Sequence, residues 1–126
     1  MSLPGGSRSS EFYWFDKFGA LNSTRWFFAG SWWNGAPFAS GFDPRKYVIS
    51  GNVLTLLADA TPFALNDGTG VVLNYTSSEI RTWQYYGFGC YSVCMKPSPI
   101  SGVSSSFYAY AGNYDDPDNR GPFGNP

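Results

Sequence analysis

Clusters of turn-forming residues punctuate this chain so often that no long regular element fits between them. Asn22-Ser23, Asn34-Gly35, Asp43-Pro44, Gly51-Asn52, Asn66-Asp67-Gly68, Gly87, Pro97 and Gly102 follow one another at intervals of about ten positions. The runs between them, at 26–29, 47–49, 53–58, 79–85 and 104–111, are short and rich in aromatic and β-branched residues. They carry neither a helical period nor a repeat. The pattern predicts an antiparallel all-β sandwich or barrel. Residues 61–70 are expected to form the longest loop, and NYDDPDNRGPFGNP at 113–126 another, because Asp, Asn, Gly and Pro leave no strand pattern there.

Length and charge narrow the function. At 126 residues the chain is expected to supply one domain at most. Residues 1–10, MSLPGGSRSS, read as a leader or a disordered start, and 11–126 as the domain itself. A net charge of −1 supplies no basic patch for phosphate, which argues against nucleic acid and against an anionic membrane surface as partners. No apolar run reaches the roughly 18 residues of a membrane span. Aromatics make up 20% of the residues and charged side chains only 13%, a balance that favours a neutral, ring-shaped ligand. Two glycosylation triplets, Asn22-Ser23-Thr24 and Asn74-Tyr75-Thr76, are compatible with a secreted or cell-surface protein.

The stretch YGFGCYSVCMKP at 86–97 holds both cysteines. Its aromatic and β-branched content predicts a strand, on which Phe88, Cys90, Ser92 and Cys94 share one face. Four residues of strand separate Cys90 from Cys94 by about 13 Å, and a disulfide needs Cα atoms within about 7 Å. They are expected to be free thiols packing on one face of a sheet, with a bond to another chain as the alternative. With no His and no third thiol, a zinc site within this chain is not expected, and no metal ligand or cofactor is assigned.

Phasing the remaining runs gives a candidate ligand face. In SSEIRTWQY, Glu79, Arg81 and Trp83 project to one side. In SSSFYAYAG, Tyr108 and Tyr110 share one face while Phe107, Ala109 and Ala111 take the other. The loop GSWWNGAPF places Trp32, Trp33 and Phe38 around Asn34-Gly35. Aromatic faces stack on the C–H faces of pyranose rings, and carboxylate, guanidinium and carboxamide groups read hydroxyls. The competing interpretation is that the rings fill a core and Glu79–Arg81 is a structural ion pair.

The order of WWNGAPF, GNVLTL, SSEIRTWQYYGFGCYSVCMKP and SGVSSSFYAYAG resembles the N-terminal half of family-16 glycoside hydrolases, above all the endo-1,3-1,4-β-glucanases, over about residues 11–112. The resemblance implies a β-jelly roll with a concave cleft, incomplete in this chain. It implies a β-linked glucan as partner. Residue by residue, it implies substrate-binding roles for Trp32, Asn34, Glu79, Arg81, Tyr108 and Tyr110.

One departure is large. The family carries its nucleophile and acid on a Glu-x-Asp-x-Glu or Glu-x-Asp-x-x-Glu strand, and this sequence has none. Asp115, Asp116 and Asp118 sit in a Pro-interrupted loop, where the two-carboxylate geometry of a retaining enzyme is not expected. No catalytic residue is therefore assigned. Three readings follow: the N-terminal half of an endo-acting, retaining β-glucan hydrolase whose other half completes the domain, a non-catalytic β-glucan-binding module, and a structural remnant without a ligand.

Overall fold

The computed structural model describes residues 13–84 and 86–109, and every regular element among them is a strand. The eight strands are β1 (Trp26–Phe28), β2 (Ser40–Phe42), β3 (Tyr47–Ser50), β4 (Val53–Leu56), β5 (Phe63–Ala64), β6 (Val72–Leu73), β7 (Tyr75–Ser77) and β8 (Ile80–Thr82). The all-β expectation holds, with strands shorter than the runs from which they were read.

Three pairs are antiparallel: β1–β8, β3–β4 and β5–β6. The fourth, β2–β7, is parallel, with Ser40 opposite Tyr75 and Phe42 opposite Ser77. A parallel pair needs a long crossover, and here the β3–β4 hairpin and β5–β6 supply it. Further hydrogen bonds join the pairs. Phe42 N–H donates to the Trp32 carbonyl (2.9 Å), Asp43 N–H to Ser77 (3.0 Å), and Ala29 N–H to Glu79 (2.9 Å). Residues 75–82 thus run past β2 and then past β1, which brings the Trp32 loop beside β8.

Local chemistry explains the hairpin. Gly51 and Asn52 have φ of 57° and 58°, and they form the two-residue loop between the paired Ser50 and Val53. Two successive left-handed residues are what a primed turn requires, and Gly and Asn tolerate that region best. The Phe28 and Tyr47 rings stack at 3.9 Å and 12°, tying β1 to β3.

Three expectations are corrected. Residues 61–70 are not one loop, because Phe63–Ala64 pairs with Val72–Leu73 and Leu65 N–H reaches the Val71 carbonyl at 2.9 Å. Residues 86–99 and 103–109 form no strand, although their composition favours one. A strand is defined by a hydrogen-bonded neighbour, and none pairs with these segments among the described residues. For the same reason Cys90 and Cys94, both free, are exposed rather than packed on a sheet face.

The core is slight. Among the described residues Ala29, Phe42 and Leu73 are the buried apolar ones, and no large side chain is fully buried. Phe88, Tyr91, Val93, Met95, Ile100, Val103 and Phe107 all face solvent.

Candidate functional site

The site begins with two residues spaced for one strand face. Glu79, immediately before β8, and Arg81, on it, flank Ile80, and the extended spacing points both the same way. The Arg81 Nε–H donates to Glu79 Oε1. The other carboxylate oxygen, Oε2, accepts from the Tyr108 hydroxyl at 2.5 Å. The Arg81 guanidinium lies over the Trp32 ring, 5.0 Å from its centroid, within cation–π range. Trp32 in turn meets Phe42 edge-on at 6.0 Å.

Four of the six residues read from sequence, Trp32, Glu79, Arg81 and Tyr108, therefore form one contiguous cluster. Asn34 lies two residues beyond Trp32 on a loop and is exposed. Tyr110 falls outside the described residues. Trp83, expected in a row with Glu79 and Arg81, leaves the cluster: it packs on Phe27 at 4.5 Å, and its indole N–H donates to the Ser23 carbonyl at 3.0 Å.

Burial bears on the competing interpretation of a structural ion pair: the Glu79 and Arg81 side chains are only 11% and 17% accessible. A pair so enclosed must be well hydrogen-bonded to be tolerated. Tyr108 helps to meet that requirement. Partial desolvation, reinforced by the hydrogen bond to Glu79 and its charge, raises the phenol to about 12. The hydroxyl thus stays a donor throughout the neutral range, although half of the residue remains accessible. Phe107 and Tyr108 are both exposed, and Tyr110 and Ala111 of the same run lie outside the described residues.

The other described carboxylates are engaged locally. Asp16 accepts the Trp26 indole N–H at 2.7 Å and the Phe18 N–H at 2.8 Å. Asp43 holds Arg45 through two side-chain bonds of 2.9 and 2.7 Å, and Asp59 holds Lys46 at 2.5 Å; those hydrogen bonds lower both carboxyls to about 2. Asp67 accepts from the Thr69 hydroxyl and N–H, which lowers its carboxyl as well. None of these acids shares a hydrogen-bond donor with Glu79. The sequence holds one further Glu, Glu11, outside the described residues together with Asp115, Asp116 and Asp118.

On this all-β framework an aromatic ring, a guanidinium, a carboxylate and a phenol lie side by side, groups that can stack on sugar rings and hydrogen-bond hydroxyls. Sequence comparison shows the family. Residues 34–119 match the profile of glycosyl hydrolases family 16. The chain is 33% identical over 101 residues to a beta-glucanase of Brevibacillus brevis, covering 80% of this chain and 36% of that protein. It is 33% identical over 101 residues to a beta-glucanase of Bacillus subtilis (80% and 38%), and 32% identical over 98 residues to one of Acetivibrio thermocellus (78% and 27%). The chain belongs to glycosyl hydrolase family 16. It spans about a third of the length of these relatives. No solved structure matches it.

Proposed function

We propose that the chain is the N-terminal, substrate-holding part of a secreted, endo-acting, retaining β-glucan hydrolase. The observation that carries this reading is the convergence of Trp32, Glu79, Arg81 and Tyr108 on one another from three separate segments. The beta-glucanase names of its relatives support the substrate class.

In this reading the Trp32 ring stacks on a pyranose face, while Glu79 accepts from sugar hydroxyls. The Arg81 guanidinium offers N–H donors beyond the Nε–H committed to Glu79. Asn34, exposed on the neighbouring loop, extends the cleft, and for Tyr110 the family resemblance implies a substrate-binding role. Glu79 acts as a binding residue, because both of its oxygens already serve a positioned donor. Retaining hydrolysis requires a nucleophile and an acid about 5–5.5 Å apart, and these come from another strand of the same domain. Residues 11–126 are then the N-terminal part of one jelly roll.

A second reading, a non-catalytic β-glucan-binding module, draws on the local engagement of every described carboxylate. Release of reducing ends separates the two. The complete protein is expected to release them from a soluble β-glucan, with the β configuration retained in the first product by proton NMR. Saturable binding without release would favour the module. Neither binding nor release would overturn both.

A further inference from the structure

The two glycosylation triplets have the same sequence grammar but different structures. Asn22-Ser23-Thr24 lies in the turn that leads into β1. The Asn22 side-chain oxygen accepts from the Thr24 hydroxyl at 2.7 Å and from the Thr24 N–H at 3.2 Å. The Asn22 main-chain carbonyl accepts from Arg25 and Trp26 N–H at 3.1 and 2.9 Å, and the Trp83 indole fixes the Ser23 carbonyl. Asn22, Ser23 and Thr24 are all exposed. The hydroxyl of the third residue is thus directed onto the carboxamide of the first, in a local turn that Trp83 braces from β8.

Asn74-Tyr75-Thr76 is arranged otherwise. Asn74 is exposed, but Thr76 is 2% accessible and its hydroxyl donates to the Thr61 carbonyl at 2.7 Å. Thr76 also exchanges main-chain hydrogen bonds with Asp59, of 2.9 and 3.0 Å. Residues two apart on a strand stand about 6.5 Å from each other. The Thr76 hydroxyl is therefore held away from Asn74 and already used.

We propose that Asn22, and not Asn74, is a site of N-linked glycosylation. The donor is an oligosaccharide carried on a polyprenyl diphosphate. The Asn22 side-chain nitrogen forms the bond to the anomeric carbon, and the bond from that carbon to the diphosphate oxygen breaks. The polyprenyl diphosphate leaves with the electron pair, and one amide proton passes to a base of the transferase. The Thr24 hydroxyl, donating to the carboxamide oxygen, orients the acceptor. Asn22 precedes β1 at the end opposite Glu79, so the glycan stands clear of the site described above.

The test secretes the complete protein from eukaryotic cells behind a supplied cleavable signal peptide, so that its outcome does not depend on the protein's native destination or activity. Intact mass before and after peptide-N-glycanase is the readout. The expected result is a shift of one oligosaccharide that persists in Asn74→Gln and in Thr24→Ser, and is lost in Asn22→Gln and in Thr24→Ala. An unshifted wild-type protein, or an undiminished shift in Asn22→Gln, would overturn the proposal.

Discussion

Glu79 shows why side-chain identity and environment must be weighed together. A carboxylate with an adjacent guanidinium on an exposed strand would contribute little to stability. Enclosed as it is, Glu79 leaves Arg81 and Tyr108 without their acceptor when removed. Glu79→Ala in the complete protein is therefore expected to lower stability by on the order of 3 kcal/mol, as breaking a buried ion pair does. Glu79→Gln keeps the shape and one acceptor. It is expected to raise KM several-fold with a smaller change in kcat, measured by reducing-end release, and an unchanged KM would remove Glu79 from the substrate site. The cysteines give a simpler expectation. Both are exposed and free, so thiol titration of the native chain without reductant should find two reactive groups; a disulfide-linked dimer on non-reducing gels would contradict it.

At the level of strands, β2 depends on a missing side chain. A Cβ on Gly41 would lie 2.1 Å from the Phe63 ring, and Gly41 pairs with Thr76 across the parallel ladder. Gly41→Ala is expected to push β5 away from β2 and cost roughly 1–3 kcal/mol, the usual range for overpacking. The thermal midpoint of the complete protein measures this, and an unchanged midpoint would show that Phe63 moves aside freely. The ion pairs beside the β3–β4 hairpin make it acid-sensitive. Asp43 and Asp59 sit at about 2 in the folded chain against an ordinary value of 3.8. A depressed carboxyl contributes stability that is present above its unfolded value and lost as pH falls through its folded one. Stability of the complete protein is therefore expected to fall between about pH 4 and pH 2. Lys46→Met, which removes the partner of Asp59, should flatten that fall in denaturant midpoints measured across the range.

For the molecule as a whole, the decisive feature is the uncovered apolar surface. Phe88 is fully exposed, and Val93, Met95, Ile100 and Phe107 are each at least 40% accessible. Each large aromatic left in water keeps about 150–250 Å² out of the core. Segments with strand composition and no partner also leave unpaired N–H and C=O groups. Further strands of the same domain, as in relatives about three times as long as the matched region, are the expected cover. The 126 residues alone are accordingly expected to bind a hydrophobic dye, to melt without a cooperative transition, and to release no reducing ends. Sharp near-ultraviolet circular dichroism with a cooperative melt would instead support the self-contained binding module.

Strand class, most turns and the alignment of Glu79 with Arg81 were legible in the linear pattern because each depends on local rules, whereas Trp32 and Tyr108 were singled out by the family resemblance and joined to that pair only by the fold. Alternation aligns Glu79 with Arg81 across one intervening residue, and Gly51-Asn52 encodes its own turn. The parallel pairing of β2 with β7 and the burial of the ion pair were not legible, since they depend on segments tens of residues apart, and β5 and β6 are too short, at two residues each, to show a strand pattern. Ser-Gly-Phe at 40–42 carries no strand signal until Phe63 fills the space above Gly41. Conversely, YGFGCYSVCMKP carries a strong strand signal and forms no strand, because propensity prepares a segment for a ladder that only a neighbouring chain segment can complete.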